Sequence, residues 1–113
     1  MAVDKNLLSG STTMLLLKLL ERGDMYGYQM IEELKNRSKN VFELKAGTLY
    51  PLLHAMEKKG FVTSYDKAAD NNRVRKYYSI TKEGLQALQD KKNEWNTYAS
   101  AINRILGGVN CAY

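Results

Sequence analysis

The chain has 113 residues, 44% of them hydrophobic, which is enough for one domain with a real core and too short for two. Its one histidine, His54, and one cysteine, Cys111, lie far apart in sequence, which excludes an internal disulfide and a metal-ligand set of recognisable spacing. The 17 lysines and arginines against 12 acids leave a net charge of +5, a balance that suits a polyanionic partner.

In chain order, the first strongly apolar run, residues 14–20, is broken by Lys18 and falls well short of the roughly 20 residues needed to span a bilayer. Residues 1–8 lack the charged, apolar and cleavage-site succession of a secretory signal, so a cytoplasmic protein with no membrane partner is expected. A helix is predicted over residues 11–22, with Ser11, Thr12 and Thr13 offering caps and Leu15, Leu16, Leu19 and Leu20 at helical spacing; Gly23 ends it. Asp24 then serves as N-cap for a second helix, 26–38, with Tyr28, Ile31 and Leu34 facing the core and Glu32, Glu33 and Lys35 facing water. A polar break at 36–40 leads into a short strand, 41–44.

A third helix is predicted over residues 48–59, with Leu49, Leu52, Leu53 and Met56 within roughly 100° of arc, the width of a core-facing stripe. Thr48 as N-cap places Pro51 in the first turn, where its missing N–H costs nothing. Gly47, Pro51, His54 and Lys58 lie opposite the stripe, with Tyr50 at its flank, and suit contact with a groove. After Gly60, strands at 61–66 and 74–80 enclose a loop, 67–72, whose Asp70, Asn71 and Asn72 tolerate left-handed turns. Arg73, Arg75 and Lys76 open the second strand. Seven cations against four carboxylates put a net +3 within residues 57–83. Helix followed by a basic hairpin is the order of a winged helix-turn-helix, in which the helix enters the major groove and the hairpin straddles the phosphate backbone.

Thr81 caps a last helix that runs to Gly107 and Gly108. Leu85, Leu88, Lys92, Trp95, Ala99, Ile102, Leu106 and Val109 alternate in steps of three and four, the spacing of an interhelical seam in which Lys92 is the polar exception. At about 1.5 Å per residue this helix outruns the body, so part of the seam is expected to bury itself in a symmetric dimer, with the first helix assisting. The fold expected is mainly α with a small β-hairpin: residues 1–80 as a winged-helix DNA-binding domain, and 81–113 as a dimerisation helix and tail. No nucleophile with its base, phosphate-binding glycine loop or interpretable carboxylate pair is present, so neither catalysis nor a cofactor is expected. Tyr26, Tyr28, Tyr77 and Tyr78 suggest stacking on bases, yet tyrosines at strand and helix spacing are more often core with the hydroxyl at the rim; Tyr28 and Tyr78 are read as core, and Cys111 as inert.

Three segments in this order, GDMYGYQM at 23–30, GTLYPLLHAMEKKGFV at 47–62 and RKYYSITKEG at 75–84, resemble the hallmark segments of the PadR family of bacterial transcriptional regulators. The resemblance covers roughly residues 15–106, with Gln29 standing where the family often has glutamate. It implies a winged-helix homodimer, usually a repressor of nearby genes, that binds an inverted repeat in double-stranded DNA and is released by a small molecule. Mapped residue by residue, it implies DNA contact by Lys45, Thr48, Tyr50, Pro51 and His54, with Tyr26 or Gln29 from the preceding helix and with Lys67, Arg73, Arg75 and Lys76 in the wing. Trp95 matches a tryptophan that, in multidrug-sensing relatives, stacks on flat aromatic ligands at the dimer interface. Ala99, one turn on, leaves room there, and Glu94 and Asp90 favour a cationic ligand if they face it. A DNA-binding regulator without an effector, and a dimeric adaptor that binds another protein through the seam, remain as alternatives.

Overall fold

A computed structural model describes residues 3–107, so Gly108, Val109 and Cys111 lie outside the described residues. The elements are α1 (Lys5–Ser9), α2 (Thr12–Glu21), β1 (Met25–Tyr26), α3 (Gly27–Arg37), α4 (Ala46–Lys58), β2 (Val62–Ala68), a 3-10 turn (Asp70–Asn72), β3 (Val74–Ile80) and α5 (Lys82–Ile105). The sheet is antiparallel, with β3 between β1 and β2. This is the mainly helical winged helix that the sequence predicts, with a long C-terminal helix.

The core is one cluster. Leu16, Leu17, Leu19 and Leu20 of α2 meet Met30 and Leu34 of α3, Leu49, Leu53 and Met56 of α4, Met25, Val62 and Tyr78 from the inner face of the sheet, and Leu88 of α5. Tyr78 is buried as expected. Tyr28 is not: it is 63% exposed, because the buried stripe of α3 is Gly27, Met30 and Leu34. A glycine carries no apolar signal, so the periodicity alone points one position away from the true stripe.

Several boundaries differ for physical reasons. The segment α1 is too short for periodicity to reveal. It is capped by Asp4, whose carboxylate accepts from the Asn6 N–H at 2.8 Å, and is tied to α2 where the Thr12 hydroxyl donates to the Leu8 carbonyl at 2.6 Å. Thr12 therefore fastens α1 to α2, and Ser11 makes no side-chain cap. Asp24 does not cap α3; Met25 and Tyr26 pair with Tyr78 and Tyr77 of β3, and the helix starts only at Gly27. The strand predicted at 41–44 is absent, and Lys39 and Asn40 both take positive φ there. They close α3 with hydrogen bonds from Lys39 N–H to Asn36 O and from Asn40 N–H to Lys35 O, the paired bonds of a left-handed C-terminal cap.

The helix α4 begins at Ala46 with Lys45, not Thr48, at its N-cap, which leaves Pro51 inside the helix. Pro51 cannot donate to the Gly47 carbonyl, and both residues are exposed, so water can serve that oxygen. At the other end Gly60, at φ +81°, permits Phe61 N–H to bond Met56 O at 2.9 Å and Gly60 N–H to bond Glu57 O at 3.0 Å. Strand β2 continues through Lys67 and Ala68, shortening the loop, and Asn71 and Asn72 take the left-handed conformations expected of them. Thr81 caps α5 as predicted, and Gly107 at positive φ follows its end.

Candidate nucleic-acid interface

Burying Leu49, Leu53 and Met56 turns the opposite side of α4 outward. Thr48, Pro51, His54, Ala55 and Lys58 are exposed there, with Lys45 at the amino end. Tyr50 behaves differently. It is half-buried and packs over Gly27, where a Cβ would lie 2.7 Å from the Tyr50 ring carbon Cζ. The glycine of GDMYGYQM and the tyrosine of GTLYP thus form one close contact between α3 and α4, which aims α4 rather than leaving Tyr50 free on its outer face. Gln29, from α3, is half-buried.

The hairpin register divides the basic wing between two faces. Asp66 pairs with Lys76 on the face that continues the core side, whereas Lys67 pairs with Arg75 on the outer face. The expected single basic edge of Arg73, Arg75 and Lys76 is therefore split, because neighbours on a strand point to opposite sides. Arg73 precedes β3 and is exposed. The same register lines up Tyr26, Tyr77 and Tyr65 across the three strands on the outer face. Tyr77 meets Tyr26 edge-on at 5.4 Å between ring centroids and stacks on Tyr65 at 5.8 Å. The Arg75 guanidinium lies 4.3 Å from the Tyr26 centroid, and the Lys67 ammonium 5.3 Å from that of Tyr77. At the end of the row the Tyr65 hydroxyl donates to the Asp24 carboxylate at 2.7 Å, and this bond, more than any burial, raises the Tyr65 phenol above its ordinary pKa. Sequence reasoning does not reach Tyr65 and Asp24 as part of this site, since only the strand pairing brings them together.

Beyond the wing, α5 leaves the body early. Gly84 and Leu88 are its buried residues, so Leu88, expected in the seam, packs into the chain's own core. Leu85, Trp95, Ile102 and Leu106 are exposed, as are Lys92 and two residues outside the predicted seam, Tyr98 and Ile105. Trp95 and Tyr98 pack at 6.0 Å and, with Leu7, Met14, Lys91 and Glu94, line a groove of about 450 Å³ between α5 and the α1–α2 turn. Ala99 does not line this groove, and neither does Asp90, whose carboxylate accepts from Gln86. Among the described residues no cluster of potential metal ligands occurs, and no helix is long and apolar enough to cross a membrane.

The geometry agrees with known proteins. Residues 16–90 match the family model described as the transcriptional regulator PadR-like family. A solved transcriptional regulator from Clostridium thermocellum superposes with a TM-score of 0.82 at 30% identity, over 88% of this chain and 97% of that one. The transcriptional regulator Rv3488 of Mycobacterium tuberculosis is 31% identical over 85 residues, 75% of this chain and 73% of its own. The negative transcriptional regulator PadR of Bacillus subtilis is 28% identical over 75 residues, but the aligned part is only 41% of that protein's length. An exposed face on α4 beside a basic hairpin, on a fold shared along almost the whole chain, identifies a DNA-binding transcriptional regulator rather than an enzyme, and the chain belongs to the PadR-like family.

Proposed function

We propose that the protein acts as a homodimer that binds an inverted repeat through α4 and the hairpin, represses nearby genes, and releases DNA when a flat aromatic molecule binds beside Trp95. The observation that carries this reading is the α5 surface. Trp95 is 47% exposed, Tyr98 54%, Leu106 78% and Ile105 85%, on a helix that extends past the core. Apolar side chains in such number on one element favour burial against a second copy. Lys45, Thr48, Pro51 and His54 then reach base edges or phosphates, with Tyr26, Gln29 and Tyr50 holding the helices that carry them. Repression is favoured by the similarity to the negative regulator of Bacillus subtilis. The exposed indole and its tyrosine neighbour suit a flat aromatic ring by stacking, and Glu94, beside Lys91 in the same groove, offers a carboxylate to a cationic one.

Selection of bound sequences from a random duplex pool tests the DNA arm. The expected product is an inverted repeat with half-sites about one helical turn, roughly 34 Å, apart. A panel of planar aromatic cations tests the effector arm: quenching of Trp95 together with loss of the selected duplex supports it. Binding of DNA with no response to any compound would leave a regulator controlled by its abundance alone.

A further inference from the structure

The two faces of the hairpin are not equivalent. On the core-side face Asp66 stands opposite Lys76, opposite charges across the strands though not within ion-pair distance. On the outer face Lys67 stands opposite Arg75, and like charges directly opposed destabilise a sheet. Neither cation has a carboxylate within ion-pair distance; among the described residues the one ion pair is Lys18 with Glu21. Each instead lies over a tyrosine ring, Arg75 on Tyr26 and Lys67 on Tyr77. A guanidinium held over a ring, with no carboxylate partner, still has N–H donors to offer, and those donors match the oxygens of a phosphate. Tyr26 ends β1 just before α3 and pairs with Tyr77 of β3, so the ring beneath Arg75 sits where the helix-turn-helix joins the wing. The Tyr65 hydroxyl on the Asp24 carboxylate ties the wing to that turn a second time.

We infer that the tyrosine face of the hairpin, carrying Lys67 and Arg75, is the face that meets a DNA strand, and that Tyr26 is a positioning residue that presets Arg75 for a phosphate. Lys76, on the opposite face and across from Asp66, contributes little. The inference rests on the DNA-binding reading and adds which face and which residue align the contact.

The test uses a fluorescein-labelled mixed-sequence duplex titrated with the full-length protein at several potassium chloride concentrations. Removing one phosphate contact lowers the steepness of log K against log salt by about 0.9 per protomer. Lys67→Ala and Arg75→Gln are each expected to flatten the slope by that amount, and Lys76→Ala to leave it nearly unchanged. Tyr26→Leu is expected to weaken binding about fivefold, the order of one cation–π contact, while Tyr26→Phe keeps the ring and the affinity. In the Arg75→Gln background Tyr26→Leu should have no further effect, which a merely structural role for the ring would not produce. Thermal melts of each variant confirm that the fold persists. A slope flattened by Lys76→Ala and not by Arg75→Gln would overturn the choice of face. Equal losses from Tyr26→Leu with and without Arg75 would overturn the positioning role. If the parent protein bound no duplex at all, the DNA-binding reading itself would fall and this inference with it, whereas tight, salt-dependent parent binding with an additive cycle would remove only the positioning of Arg75.

Discussion

Thr81 joins the long helix to the winged domain with one hydroxyl, and its removal has a size that can be worked out. The oxygen accepts from the Gly84 N–H at 2.9 Å, capping α5, and donates to the Gly60 carbonyl at 2.6 Å, the point where α4 ends. Valine keeps the shape and loses both bonds. Loss of an N-cap costs about 1 kcal/mol. Loss of the second bond costs about another 1 kcal/mol at most, because Gly60 is exposed and water can replace the donor. Thr81→Val should therefore destabilise by about 1.5 to 2 kcal/mol, a fall of roughly 6 to 8 °C in Tm for a domain of this size. Urea unfolding followed by circular dichroism reads the change, at one protein concentration, since any association would raise apparent stability. Thr81→Ser retains the oxygen and should stay close to the parent. A valine variant within about 0.5 kcal/mol of the parent, or a serine variant as unstable as valine, would refute the reasoning.

Gly27→Ala should displace the Tyr50 ring and cost about 1 to 3 kcal/mol, and pairing it with Tyr50→Ala should cost less than the sum of the two single changes; strict additivity in urea would dissolve the link. Ile102→Lys with Leu106→Lys should shift sedimentation towards monomer, and an unchanged dimer would move the interface off this stretch of α5. Burial first, then the negative charge of Glu57, raises the Tyr78 phenol above its ordinary value of 10.0. The folded state therefore holds that proton more tightly than the unfolded chain, so the contribution is complete below about pH 10 and is lost as pH rises through the folded value. Tyr78→Phe should lessen the alkaline loss of stability seen in urea titrations between about pH 9 and pH 12, and an identical pH dependence would assign that loss to other groups.

What the sequence reveals is what local chemistry decides. Strand β3 was legible over its full length from alternation, and α5 was legible from a threonine at one end and a glycine at the other. Strand β1 was hidden, because two residues become a strand only by pairing with Tyr77 and Tyr78, some fifty positions away. Proline misled at α4: treating Pro51 as a first-turn residue moved the helix start from Ala46 to Thr48, whereas an exposed Gly47 carbonyl tolerates the missing donor. The basic residues of the site were legible by composition. Their division between faces was implicit in the alternation, but the tyrosine row beneath them depends on the register of β2, which the turn at 70–72 sets. The seam on α5 was legible as a repeat, yet a repeat cannot say that Leu88 is buried at home while Tyr98 and Ile105, outside it, stand exposed.

The junction at Thr81 also bears on how an effector beside Trp95 could act at a distance. Phe61 accepts the Thr81 N–H at 3.0 Å, and a Cβ on Gly84 would collide with the Phe61 carbonyl and sit 2.8 Å from the Ile80 side chain. The first turn of α5 is thus pressed against the place where α4 stops and the wing starts, and it can turn only with them. Trp95 lies 14 residues from Thr81, about 20 Å along the helix. Opening a proposed dimer by about 4 Å at Trp95, about 2 Å for each helix, would rotate each winged domain by roughly 6°, enough to misplace two recognition helices that must meet successive grooves. Such coupling exists only if the ligand prefers the opened state. Loosening the joint should then separate the two events: with Thr81→Val, a planar aromatic cation that quenches Trp95 should still quench it and should lose most of its effect on DNA affinity. Undiminished release of DNA by the folded valine variant would show that the signal does not pass through this turn.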